Sequence, residues 1–296
     1  MKILTPAKIN PLLYILSKRE DGFHELYMHM VPVSLFDTLT FTHNDGQGLN
    51  FKVSGAEFSE PPEENLVVRA VRIFELESGE TVNLNVILEK HIPSGAGLGG
   101  GSGNAAGTIQ ALNHLYRRSS ETEGLLSPET ILAIASELGS DVPFFLEPSP
   151  CEIKGRGEKI KPLLEFPKLF LIIIKPPLSI STKEAYKKCL PKKQTNLPNV
   201  CSIDDLKSYF QNQFETSLLV QYPVLSELKT LLLENGAFGA LVSGSGSAVF
   251  GAYYNKNCKI RHLKNCHVLL SAIYSLAKQW PLTVIIEPEF HNTKNK

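Results

Sequence analysis

The sequence predicts an α+β fold in two domains, and three observations carry that expectation. Helical and strand-like stretches are mixed without the regular β-α-β alternation of a parallel doubly wound sheet. The composition resets after a hairpin-like turn at Gly155-Arg-Gly-Glu158, where Pro167 leads into a new buried apolar run, Leu169 to Ile174. The chain's 296 residues also suffice for two domains of about 150. The expected division is therefore 1–160 and 161–296.

The elements follow in order. Residues 1–16 read as a strand broken by a turn: Ile3 and Leu4, then Pro6 to Pro11, then Leu12 to Leu16. Lys8 and Asn10 are two apart, so on an extended segment they share a face. Asp21-Gly22 is a turn signal and sets Phe23 and His24 on its far side. Val31 to Phe41 is the next strand, closed by the turn-rich Asn44-Asp-Gly-Gln-Gly48. Asn65 opens a helix with Leu66, Ala70, Ile73 and Phe74 inward, and Val82 to Leu88 is a strand. Ala105, Ile109, Leu112 and Tyr116 lie on one face of a second helix, which Ser102 or Asn104 can cap. The third helix has Ser127 as cap, Pro128 first, a face of Ile131, Ile134, Ala135 and Leu138, and Gly139 as its stop.

Beyond residue 160 come the buried strand, a helix opened by Ser181, and helices near 204–220 and 223–234. Ala240 to Phe250 reads as two strands around a Ser-Gly turn. A helix near 259–278, a strand from Leu282 to Ile286 and a polar tail complete the chain, with no internal repeat.

Nothing in the composition points to nucleic acid or a membrane. Lys plus Arg and Asp plus Glu both number 30, so no basic groove is implied. Hydrophobic residues at 43% and charged ones at 20% are ordinary for a soluble globular protein. The longest apolar run is strand-sized, far short of a membrane span, and Asn10 and Pro11 interrupt what would be a signal segment. The five cysteines (Cys151, Cys189, Cys201, Cys258, Cys266) are scattered without C-x-x-C spacing and read as free thiols in a reducing compartment. The expectation is a soluble cytoplasmic protein with a small-molecule substrate and no nucleic-acid, membrane or obligate protein partner.

The densest signal lies between Ile92 and Gly103, with six glycines in the nine positions from Gly95. Each glycine held in a fold costs about 0.5–1 kcal/mol relative to alanine. A turn needs one or two, so six point to a backbone that wraps a ligand and aims its N–H groups at it. The loop delivers that ligand to a helix N-terminus, where unpaired N–H groups and the dipole favour an anion, phosphate first. A Walker A loop is excluded, because no lysine occurs between Lys90 and Lys154. G-x-G-x-x-G is formally present from Gly95 to Gly100. However, Pro93 separates it from the preceding strand, and residues 117–127 are a polar loop where a second strand should start. A flexible linker is the plain alternative, against which stands the helix joined directly to the run.

Phosphoryl transfer needs an acceptor oxygen in line with the phosphate, neutralised charge and at times a base. Asp141, just past the helix stop and before Val-Pro, is the candidate base, and reads equally as a turn aspartate. Lys8 is the candidate for holding a carboxylate ionised and lowering the pKa of an acceptor hydroxyl, or else an exposed strand lysine. Phe23 and His24 could stack on and hydrogen-bond a base, or form a half-buried aromatic beside a surface histidine. Ser243-Gly-Ser-Gly-Ser247 could brace the cradle or be a plain hairpin turn. Thr182 and Tyr186, one helical turn apart, could line a pocket or serve as cap and packing residue.

Taken together, these stretches resemble the GHMP kinase superfamily, whose ATP loop has the form P-x-x-x-G-L-G-S/G-S-S. Here it reads Pro93-Ser94-Gly95-Ala96-Gly97-Leu98-Gly99-Gly100-Gly101-Ser102-Gly103. Around it, in order, stand Pro6-Ala-Lys-Ile-Asn10, Asp21-Gly-Phe-His24, Glu64-Asn-Leu-Val-Val-Arg-Ala70, Gly139-Ser-Asp-Val-Pro143 and Ser243-Gly-Ser-Gly-Ser247. From end to end this pattern is similar to members acting on a CDP-linked methylerythritol. The Asp-Gly-Phe/Tyr-His motif discriminates most, since mevalonate and homoserine kinases lack it.

The resemblance implies transfer of the ATP γ-phosphate to the 2-hydroxyl of CDP-methylerythritol in the non-mevalonate route to isoprenoids. It implies Asp141 as base, Lys8 as its electrostatic partner and Asn10 as holder of the acceptor. Phe23 and His24 would read the cytosine, with Tyr186 on its other face and Thr182 near the acceptor. Asn65, Lys90 and residues 93–103 would bind ATP. The implied fold is a ribosomal-S5-like N-terminal domain followed by a ferredoxin-like C-terminal one. Phe23 departs from the usual tyrosine, Gly103 from a common serine and Ser247 from a proline or alanine. Mg2+ is expected with ATP; no helix glutamate matches the ligand of some relatives, and Ser102 is the candidate.

Overall fold

In chain order the elements are β1 (Lys2–Lys18), β2 (His24–His43), β3 (Asn50–Gly55), α1 (Leu66–Ser78), β4 (Leu84–Lys90), α2 (Gly100–Leu115), α3 (Pro128–Leu138), β5 (Cys151–Gly155), β6 (Lys159–Pro162), β7 (Leu169–Lys175), α4 (Thr182–Lys188), α5 (Ile203–Tyr209), β8 (Gln211–Asn212), α6 (Glu215–Gln221), α7 (Pro223–Glu234), β9 (Gly239–Val242), β10 (Val249–Tyr254) and β11 (Leu282–Ile286). The computed structural model describes residues 1–55, 61–117, 124–167, 169–192, 194, 197–198, 200, 202–254 and 282–286, the last group and residue 254 by backbone alone. The helix expected near 259–278 and the polar tail lie outside the described residues, as do Cys201, Cys258 and Cys266.

The chain forms two compact units. Met1–Ala7, Leu35–Ser94 and Gly99–Pro148 make the first; Lys8–Ser34, Gly95–Leu98 and Ser149–Lys296 make the second. β1 does not break at its prolines, contrary to the turn expected between Pro6 and Pro11. The Lys8 N–H goes to Leu98 O, 2.9 Å away in a loop, so beside Pro6 and Lys8 this edge of β1 is met by a loop, with β8 pairing further along. Alternate residues present their N–H to the same edge, and a proline there forfeits no ladder bond.

In the first unit, β4 pairs antiparallel with the second half of β2 and parallel with β3, a strand the sequence reading missed. α1 and α2 close over this sheet around Leu39, Phe41, Val67, Val71, Phe74, Val86 and Leu112. Asn65 caps α1, its side-chain oxygen accepting the Val67 N–H at 2.9 Å. The buried residues of α1 are Val67, Val68, Ala70, Val71 and Phe74, with the expected Leu66 and Ile73 only half-buried. The continuous apolar run Leu66 to Val68 leaves the periodicity two registers, and packing selects the valines.

α2 starts three residues earlier than the Gly103 start expected from its apolar spacing. Gly99 is its cap residue, at φ 72°, and no side chain caps it. Ser102 and Asn104, expected as caps, lie inside the helix. The early start has a steric cause: a Cβ on Gly100 would stand 2.8 Å from Ile92 Cγ2, so only glycine lets the first turn press this close. α3 has the expected cap, face and stop, with Ser127 Oγ accepting from Thr130 N–H.

In the second unit, the first half of β2 pairs antiparallel with β5, which forms the expected hairpin with β6. β8 pairs parallel with β1 at Leu12 and Leu13. It divides the helix expected near 204–220 into α5 and α6. Asn212 accounts for the division: its amide donates to Val242 O and Gly244 O, both at 2.7 Å, and its oxygen accepts the Phe214 N–H. A second, antiparallel sheet runs β11-β7-β10-β9. No helix among the described residues is long and apolar enough to cross a membrane. Cys151 and Cys189 are buried free thiols.

Candidate active site

In the first unit, α2 begins at Gly100, directly after Gly99. The first intrahelical bond is Gly103 N–H to Gly99 O at 2.9 Å, which leaves the N–H groups of Gly100, Gly101 and Ser102 without an intrahelical acceptor. With no side-chain cap, these groups and the positive end of the helix dipole are arranged for an anion. Gly101 is exposed and Ser102 half-buried. Behind them Gly103 is sealed: a Cβ there would meet Pro6 O at 3.1 Å and Phe145 at 3.4 Å. Pro93 is half-buried and Ser94 exposed on the approach to the loop.

Asn65 and Lys90, expected at the nucleotide, are both buried and both engaged. Asn65 holds the first turn of α1, and Lys90 pairs with Asp37. Asp141 lies half-buried in the turn between α3 and the short helical turn Pro143–Leu146.

In the second unit, Lys8 and Asn10 do share a face of β1. The buried Lys8 ammonium donates to Asn10 Oδ1 at 2.7 Å. The Asn10 amide donates to His29 O at 3.2 Å, which sets the orientation of its oxygen. The loop segment Gly95–Leu98 is laced to the Ser243–Ser247 turn. Ser243 Oγ donates to Gly97 O at 2.9 Å, and Ala248 N–H donates to Ala96 O at 3.0 Å. A Cβ on Gly97 would stand 2.0 Å from Ser243 O, and Gly97 already has φ 74°. A Cβ on Gly244 would stand 3.1 Å from Lys8 Nζ, so the same turn abuts the lysine.

The aromatic candidates also gather in the second unit. Phe23 is 48% exposed, its N–H held by Asp21 Oδ1 and its ring covered by the Arg156 guanidinium at 5.1 Å. His24 stacks on Tyr186 with ring centroids 4.9 Å apart, and Tyr186 meets Phe214 edge-on. Burial, and then the charge of Lys18, hold the His24 imidazole below its ordinary value. Thr182, at the start of α4, shares a hydrogen bond with Ser245 at 2.9 Å.

Three residues escaped the sequence reading: Asp37, Asn104 as a buried bonding group, and Asn212. Asp37 left a signal, since it stands in the inward alternating row Leu35, Asp37, Leu39, Phe41. A carboxylate in such a row needs buried donors. Asn212 left none, because its partners are carbonyls some thirty residues away.

The chain is similar to known proteins over most of its length. The family model for the GHMP kinases N terminal domain matches residues 65–147, and that for the GHMP kinases C terminal matches residues 201–257. A 4-diphosphocytidyl-2-C-methyl-D-erythritol kinase from Syntrophus aciditrophicus is 40% identical over 87% of this chain and 91% of its own. Its counterpart from Pelotomaculum thermopropionicum is 38% identical over 84% and 87%. A crystal structure of 4-(cytidine 5'-diphospho)-2C-methyl-D-erythritol kinase superposes with a TM-score of 0.77, at 31% identity, over 98% of this chain and all of that one. The chain belongs to the 4-diphosphocytidyl-2-C-methyl-D-erythritol kinase family of the GHMP kinases, ATP-dependent enzymes with a ribosomal-S5-like N-terminal domain and a ferredoxin-like C-terminal domain.

Proposed function

We propose that this chain transfers the γ-phosphate of ATP to the 2-hydroxyl of 4-diphosphocytidyl-2-C-methyl-D-erythritol, giving the 2-phosphate and ADP on the non-mevalonate route to isoprenoids. The observation that carries the reading is the uncapped α2 N-terminus behind a glycine loop, in a chain 40% identical to a kinase named for that substrate. Residues 93–103 cradle the triphosphate, with Asn65 and Lys90 supporting from buried positions. Asp141 takes the proton of the acceptor hydroxyl. Lys8, oriented by Asn10, keeps that hydroxyl acidic and offsets the charge that develops on it. Asn10 also holds the acceptor, and Thr182 lies near it.

The cytosine is read by Phe23 and His24, with Tyr186 as the opposite face. Because His24 and Tyr186 stack on each other, a base entering between them must first part the two rings. Phe23 offers a stacking face without the hydroxyl a tyrosine would add. Residues 1–160 form the ATP-binding domain, which also carries Lys8, Asn10, Phe23, His24 and Asp141 for the substrate, and residues 161–296 form the substrate domain with Thr182 and Tyr186. Mg2+ bound with ATP would neutralise phosphate charge, and the Ser102 hydroxyl in the first turn of α2 is the side chain that would hold it.

The test is a coupled ADP assay with three acceptors: the cytidyl substrate, mevalonate and homoserine. Turnover with the cytidyl substrate alone, and a new phosphomonoester at its C2 by phosphorus NMR, is the expected result. Comparable kcat/KM with mevalonate or homoserine would instead assign another GHMP reaction.

A further inference from the structure

Asp37 has no place in the reaction proposed above, yet four donors converge on its fully buried carboxylate. Oδ1 accepts the N–H groups of His91 and Ile92, both at 2.7 Å. Oδ2 accepts from Lys90 Nζ and, at 2.9 Å, from Asn104 Nδ2. Asn104 is itself held by the Thr5 hydroxyl, which donates to its Oδ1 at 2.6 Å. Lys90 and Asn104 are 5% and 2% exposed, so both side-chain donors are buried with the carboxylate. An ionised carboxylate has about four acceptor sites, and here all are filled.

These donors come from the two ends of the glycine-rich loop. Lys90, His91 and Ile92 are the last residues before Pro93, and Asn104 follows Gly103 in α2. One carboxylate therefore fastens both the entry to the loop and its exit. The packing agrees, because a Cβ on Gly100 would collide with Ile92 and stand 3.2 Å from Lys90 Nζ. A buried ion pair is a poor device for stability alone, since apolar side chains of the same volume hold a core as well or better. What a hydrogen-bonded carboxylate adds is direction.

We infer that Asp37 is a positioning residue for the nucleotide: it clamps both ends of the loop and presets the N–H groups of Gly100, Gly101 and Ser102. Less ordering is then left to be done when a phosphate binds. The inference rests on that loop being the ATP site.

The experiment compares wild type with Asp37→Asn, which turns a donor toward Lys90, and Asn104→Ala, which removes one donor. Thermal melts first establish that each variant is folded at the assay temperature. ATP KM is expected to rise roughly tenfold or more for Asp37→Asn and a few-fold for Asn104→Ala. The KM for the cytidyl substrate and kcat stay within about twofold, the pattern of lost uniform binding. Without nucleotide, hydrogen exchange at the amides of residues 96–102 becomes faster in the variants. Should Asp37→Asn fail to fold, Asn104→Ala decides alone. Folded variants with unchanged ATP KM, or with both substrates' KM values raised alike, overturn the inference. Wild type without ATP-dependent turnover overturns the proposed reaction instead, and the exchange rates still report on the clamp.

Discussion

His29 lies fully buried on β2, and neither ring nitrogen has a hydrogen-bond partner among the described residues. Burial outweighs the nearby Glu152 carboxylate and pushes the imidazole down to about 4. In the unfolded chain it protonates near 6.5. Between those values the unfolded state binds more protons, so this group's contribution is complete above pH 6.5 and lost as pH falls toward 4. The slope is at most about 1.4 kcal/mol per pH unit. His29→Leu should therefore flatten the acid limb of a urea-denaturation series between pH 6.5 and 4, and an unchanged limb would show that the charge is accommodated. At Asp141 the chemistry is the issue. Asp141→Asn should lower kcat by roughly 10²–10⁴ while an ATP analogue still binds, read by single-turnover kinetics and calorimetry. An active Asp141→Asn enzyme would remove the general base from the proposed reaction.

Two glycine-rich segments of the second unit depend on each other. Gly97→Ala would drive a Cβ into Ser243 O from a left-handed backbone, two faults of a kind that cost about 1–3 kcal/mol each. A marked fall in melting temperature together with a raised ATP KM is expected, and a protein unchanged in both would mean that the two segments move apart freely. Ser127→Ala is the contrasting case: it removes only the α3 cap, about 1 kcal/mol, and should lower Tm without touching either KM. α3 was legible because its cap, proline, apolar stripe and terminal glycine all act within a dozen residues. The division of α5 from α6 was not, because the helical pattern continues while Asn212 bonds to a strand thirty residues on.

For the molecule as a whole, a ligand that binds only the folded state raises its stability by mass action. A non-hydrolysable ATP analogue at about a hundred times its Kd should add roughly 2.7 kcal/mol, seen as a higher Tm, whereas NAD should add nothing. A shift with NAD of the same size would revive the dinucleotide reading of Gly95 to Gly100. Among the described residues the element after α2 is the helix α3, not the parallel strand that reading needs.

The sequence by itself determined the α+β class and the family, and it singled out the glycine-rich loop and the aromatic pair as candidates, because each rests on local spacing or on motifs in fixed order. Only the tertiary structure decided that α2 begins uncapped within the glycines, that Lys90 is spoken for by Asp37, and that β1 runs straight through Pro6. Those outcomes depend on which distant donor or carbonyl fills a buried site. Residues adjacent in sequence carry no record of that choice.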